Sequence, residues 1–66
     1  DIAPYVTIAK GEAITSCNEV CASWSLVCDP SGVSKSYAAN GNTTKLACSD
    51  TPAASTDHYV CACKKP

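Results

Sequence analysis

The chain predicts an α+β fold: a small disulfide-rich domain of about four antiparallel strands with one helix packed on the sheet. Three observations carry this. Six cysteines stand among 66 residues that hold no Phe, no Met and one Trp, so the chain is too short and too poor in large apolar groups to rest on a hydrophobic core alone. Cys17, Cys21 and Cys28 recur at helical spacing, and Cys61 and Cys63 at strand spacing. Two β-prone runs flank Asn40-Gly41, the strongest short hairpin signal.

Taken in order, Asp1–Pro4 reads as a loose lead-in, and Tyr5–Ala9 as a strand. Alternation puts Val6 and Ile8 on one face, and Tyr5 and Thr7 on the other. Pro4 cannot donate to a ladder, which suits a strand start or a sheet edge. Lys10–Glu12 is a turn. A helix is predicted over Ser16–Cys28. Ser16 and Glu19 form a capping box, in which the hydroxyl accepts from the Glu19 N–H and the carboxylate reaches back. Thr15 is the competing cap. At about 100° per residue, Cys17, Cys21 and Cys28 fall at roughly 0°, 40° and 20°. Val20 and Trp24 flank that stripe, and Leu26 lies opposite it. Asp29-Pro30 ends the helix, because the residue before a proline is pushed out of α space.

Val33–Ala39 and Thr43–Cys48 are the hairpin strands, with Leu46 and Cys48 facing the core. Ser49–Asp57 is a polar loop. His58–Lys64 is the last strand, with Tyr59, Cys61 and Cys63 inward and His58, Val60, Ala62 and Lys64 outward. Lys64–Pro66 is an untethered tail. No repeat or composition shift divides residues 1–66, so they form one domain.

Helix positions i and i+4 lie about 6 Å apart along the axis, close to the i,i+2 spacing of a strand. Two parallel bridges can therefore rivet the helix to the last strand. The preferred pairing is Cys17–Cys61, Cys21–Cys63 and Cys28–Cys48. Exchanging the first two, to Cys17–Cys63 and Cys21–Cys61, would reverse the strand against the helix, and the sequence alone allows fifteen connectivities. Each bridge adds roughly 2–4 kcal/mol. Such a design works where disulfides persist, so a secreted, extracellular protein is expected. The chain begins at Asp1 rather than Met, as a processed mature protein would. No run approaches the roughly 20 apolar residues that span a bilayer, so no membrane insertion is expected.

Composition also narrows function. Net charge is −1, and the five basic residues are all lysines, scattered along the chain. A nucleic-acid binder would concentrate basic charge, so no nucleic-acid partner is expected. His58 is the only histidine, beside Asp57. Neighbours in a regular strand point to opposite faces, so Asp57 is not expected to orient it, and no catalytic residues are assigned. The cysteine spacings do not match those of zinc ribbons, so neither a metal nor a cofactor is expected. Asn42-Thr43-Thr44 is an N-glycosylation acceptor. Tyr5, Leu26 and Val60 are the apolar groups expected to face outward as a partner surface. The first strand, if it is a sheet edge, is open to pairing with a second copy as a homodimer.

The Cys17/Cys21 helix pair and the Cys61/Cys63 strand pair resemble the cysteine-stabilised αβ motif of defensins and scorpion toxins, over those four cysteines. Across its length the short, near-neutral, Ala/Ser/Thr-rich chain with six cysteines looks like the small secreted cysteine-rich proteins of filamentous fungi. That resemblance implies an effector or elicitor that binds a protein of a host organism, often a plant. The sequence reading is thus a secreted, non-enzymatic interaction protein. The alternative is a defensin-like toxin or antimicrobial protein. A third class, a protease inhibitor, would use Ser49–Asp57 as its binding loop.

Overall fold

The computed structural model describes residues 5–66; the predicted lead-in Asp1–Pro4 lies outside the described residues. The elements are β1 (Tyr5–Ile8), α1 (Cys17–Ser23), β2 (Val27–Cys28), β3 (Ser34–Ala38), β4 (Thr43–Leu46) and β5 (Thr56–Lys64). The sheet is antiparallel, with order β1-β5-β3-β4, and β2 also pairs with β5. The fold is α+β with strands dominant.

β5 is the spine. β1 lies along one of its edges, and β3 and then β2 along the other. Its inner face presents Tyr59, Cys61 and Cys63, all buried. The Tyr59 hydroxyl accepts from the Thr15 N–H at 3.0 Å and donates to the Ala13 carbonyl at 3.2 Å. A buried phenol needs such partners, and here they tie the β1–α1 connection beneath the sheet. Ile8, Val20, Cys28 and Leu46 complete the core.

Seven helical residues are too few to hold a helix in water without tertiary support. Two bridges supply it: Cys17–Cys61 and Cys21–Cys63, with Cα separations of 5.4 and 5.6 Å. Helix and strand therefore run in the same direction, and the exchanged register does not occur. Cys28–Cys48 is the third bridge. Ser16 is the N-cap and accepts from the Glu19 N–H at 3.4 Å. The return bond from the Glu19 carboxylate is not made. The Asn18 N–H bonds instead to the Cys48 carbonyl across the domain.

The helix ends at Ser23, not at Cys28. Ser25 adopts a left-handed conformation, φ 60°. The Ser25 N–H bonds to the Ala22 carbonyl and the Leu26 N–H to the Cys21 carbonyl, which is the Schellman pattern of helix termination. The reversal sends Val27–Cys28 back to pair with β5, with Cys28 opposite Cys63. This is the fifth strand. Cys28 reaches the thiol face through sheet register, not helical phase. The same change overturns two orientations. Trp24, placed on the thiol stripe by the longer helix, is the C-cap and 65% exposed. Leu26, placed opposite that stripe, packs partly buried against the core.

Other boundaries are shorter than predicted: Ala9, Val33, Ala39, Ala47 and Cys48 fall outside strands, while β5 begins earlier, at Thr56, and keeps Lys64. The hairpin closes through a three-residue loop: the Gly41 N–H bonds to the Ala38 carbonyl and the Ala38 N–H to the Asn42 carbonyl. Gly41 sits at φ 88°, the left-handed position that follows a type I turn in such loops.

Ala62, predicted to face outward, is fully buried. The Asp29–Gly32 turn lies over it. The Asp29 N–H bonds to the Ala62 carbonyl, and the Ala62 N–H to the Ser34 hydroxyl at 2.9 Å. A Cβ on Gly32 would stand 2.5 Å from the Ala62 Cβ, so only glycine permits this approach.

Two stability outcomes follow. Gly32→Ala forces that contact and is expected to cost about 1–3 kcal/mol, as overpacking does; adding Ala62→Gly should recover part of it in urea unfolding. Ser25→Gly removes the side chain from a left-handed position and is expected to stabilise by about 0.5–1 kcal/mol, read as a rise of several degrees in Tm.

Candidate functional site

The exposed aromatic groups converge on one end of the molecule. Tyr5, on the edge strand, is 55% exposed, and Trp24, at the end of α1, is 65% exposed. With Val6, Thr7 and Leu26 they line a cavity of about 320 Å³. A second depression of about 400 Å³ shares Val6, Thr7 and Trp24 and continues past Ile8 to Glu12, Thr15, Glu19 and Ser23. The two make one groove along β1, between the strand and α1. Its Tyr5 end is aromatic and apolar; Glu12, bonded to the Ala9 N–H, stands at its Ile8 end, and Thr15, Glu19 and Ser23 line its α1 side. Helix termination at Ser23 creates it, because it turns Trp24 out of the core beside the strand.

Of the predicted partner surface, Tyr5 and Leu26 meet in this groove. Val60 does not. It is partly buried on the outer sheet face between Thr7 and Lys35. Trp24, which sequence reasoning assigned to the core, takes its place. Helical phase alone misled here; the signal that could have found it is the β-prone Leu26-Val27-Cys28 run that ends the helix before it reaches Cys28.

The outer sheet face is mostly polar. Lys35 and Lys45 stand directly opposite each other across β3 and β4, so two of the scattered lysines do meet. Beside them lies the histidine. Tyr37 opposes His58, and Ala38 opposes Thr56, leaving Asp57 as an extra residue in a β-bulge. The bulge re-aims the side chain. Contrary to the strand rule, Asp57 does orient His58: its Oδ2 lies 2.9 Å from Nδ1. A carboxylate only accepts, so Nδ1 is the donor in this contact. The ring stacks on Tyr37 at a centroid distance of 4.5 Å, and Lys10 Nζ stands 3.8 Å from the other Asp57 oxygen.

All six cysteines are bridged. Three disulfides in so small a domain are typical of extracellular proteins. Among the described residues, no helix is long and apolar enough to cross a membrane. Asn42 is exposed beside the hairpin turn, with Thr44 two residues on in β4. The Ser49–Asp57 loop gives its last two residues to β5 and buries Pro52. Compared with known families, curated proteins and solved structures, the chain gives no match.

One carboxyl is held below the ordinary aspartate value of 3.8: Asp29, chiefly because the Ser31 hydroxyl donates to it at 2.7 Å and the Ser31 N–H at 3.0 Å. Those bonds favour the charged form. Their contribution is therefore present above the unfolded value and lost as pH falls through the lowered one. In Ser31→Ala, an NMR titration should show the Asp29 carboxyl protonating at higher pH than in the parent.

Proposed function

We propose that this chain is a secreted, non-enzymatic interaction protein of effector or elicitor type, which acts by presenting the Tyr5/Trp24 face to a protein of another organism. The observation that carries the reading is the exposed Trp24, held beside Tyr5 on a frame locked by three bridges. Aromatic side chains offer large contact area at little entropic cost, and they are enriched where proteins bind one another. A rigid frame removes the cost of ordering them on binding. A standard interface takes about 800 Å² from each partner, a modest share of the 4246 Å² accessible surface. One face thus suffices.

The fungal character rests on the compositional resemblance alone. The extracellular setting rests on the bridges, and the absence of chemistry on the lack of an assigned catalytic group in the sequence.

The test compares four samples on target tissue, reading a host response: the folded protein, the reduced and alkylated protein, Trp24→Ala and Tyr5→Ala. The response should fail on reduction. It should need about thirtyfold more protein in Trp24→Ala, as loss of about 2 kcal/mol at an aromatic anchor would give, with the circular dichroism spectrum unchanged. Full response from the reduced chain would refute a shape-dependent action.

A further inference from the structure

We infer that the groove beside β1 binds an extended basic peptide segment, which adds as a strand to the open edge. This deepens the reading of the Tyr5/Trp24 face as a protein-binding surface and rests on it.

The edge itself is the first ground. Among the described residues, β1 is the terminal strand of the sheet and pairs only with β5. In an antiparallel ladder each residue turns its N–H and C=O to the same side. The Ala62 N–H and C=O are taken by Ser34 and Asp29, on the β2/β3 side of β5. Ala62 stands opposite Tyr5, and Val60, of the same parity, opposite Thr7. The β1–β5 bonds therefore run through Val6 and Ile8, and Tyr5 and Thr7 turn their N–H and C=O to the open side. An exposed row of this kind is the template for strand addition.

The groove's chemistry selects the occupant. Its Tyr5 end, with Trp24 and Leu26, takes an apolar side chain. Glu12 stands at its Ile8 end and Glu19 on its α1 side, and among the described residues no lysine lines either part. Glu12 uses Oε2 to accept from the Ala9 N–H at 2.8 Å, which fixes the carboxylate and leaves its other oxygen to accept from a ligand. Glu19, free of the capping-box return bond, is likewise unspent. Residues two apart on a strand share a face. An antiparallel segment with a basic residue two or four positions before an apolar one places both side chains in the groove.

A second copy fits less well. Two β1 strands paired antiparallel would set the apolar end of each chain against the acidic end of the other, and among the described residues neither end supplies a cation. The nearby Lys10 stands against Asp57.

Trp24 is the only tryptophan, so its emission reports occupancy. The probe is the peptide Ac-TKTKTLTLT-NH2, with Ac-TETETLTLT-NH2 as its charge-reversed counterpart. The basic peptide should shift Trp24 emission saturably, and the acidic one should bind about fivefold more weakly or worse, as loss of exposed charge pairs gives. Thr7→Pro removes an outward N–H without touching the β1–β5 ladder and should abolish binding with the fold retained. Independently, hydrogen exchange on the parent protein should show the Thr7 amide becoming protected when peptide is added. Equal binding of both peptides, an unprotected Thr7 amide, or an emission shift that follows protein concentration alone (pairing of two copies) overturns the inference. Because the host response is measured separately, a protein that loses response in Trp24→Ala yet ignores the peptide keeps the functional reading and sinks only this one.

Discussion

Two sulfur bridges along β5 hold the molecule in its shape. Cys61 and Cys63 sit on the inner face of the spine strand, and each takes one turn of α1. A seven-residue helix with no such anchor would fray, and besides the bridged cysteines the strand's inner face buries Tyr59. Two bridges fix the helix in position, direction and rotation together, which one bridge would not. From that follow the path of the β1–α1 connection, gathered under the sheet by the Tyr59 hydroxyl, and the exit of the chain at Ser23.

That exit shapes the surface. A left-handed Ser25 turns the chain back so that Val27 and Cys28 extend the sheet, and the reversal throws Trp24 outward, next to β1. Structure and candidate site are thus linked through one backbone conformation. A helix carried on to Cys28 would have placed the indole against the bridges and left the edge strand without its aromatic neighbour. The outer face shows a smaller version of the same logic. One extra residue in β5 swings Asp57 beside His58, where an unbroken strand would have pointed them apart.

Much of the scaffold was legible in the sequence because it follows from short-range periodicity. Helical spacing of Cys17 and Cys21 and strand spacing of Cys61 and Cys63 define two rigid ladders of equal pitch, so local spacing alone shows that they can be cross-linked. The Ser16 cap, the hairpin about Gly41 and the inward set Tyr59, Cys61 and Cys63 are local features too. The site was only half legible. Tyr5 and Val60 were assigned outward by alternation, but flanking strands half-cover Val60, and Leu26 was placed by helical phase on an element that ends before it.

What the sequence by itself determined is the α+β class and a preferred clamp of one helix on the terminal strand; the structure selected that bridge set from the fifteen that six cysteines allow. Tertiary structure alone decided where the helix stops, that β2 exists, that Ala62 lies under a glycine turn and that Trp24 faces water. The physical reason is competition. Residues 24–28 are spaced for a helix yet hold a β-leaning run, Leu26-Val27-Cys28. The balance is tipped by the β5 edge that Val27 and Cys28 can pair with, and by a left-handed serine that contacts elsewhere must hold in place.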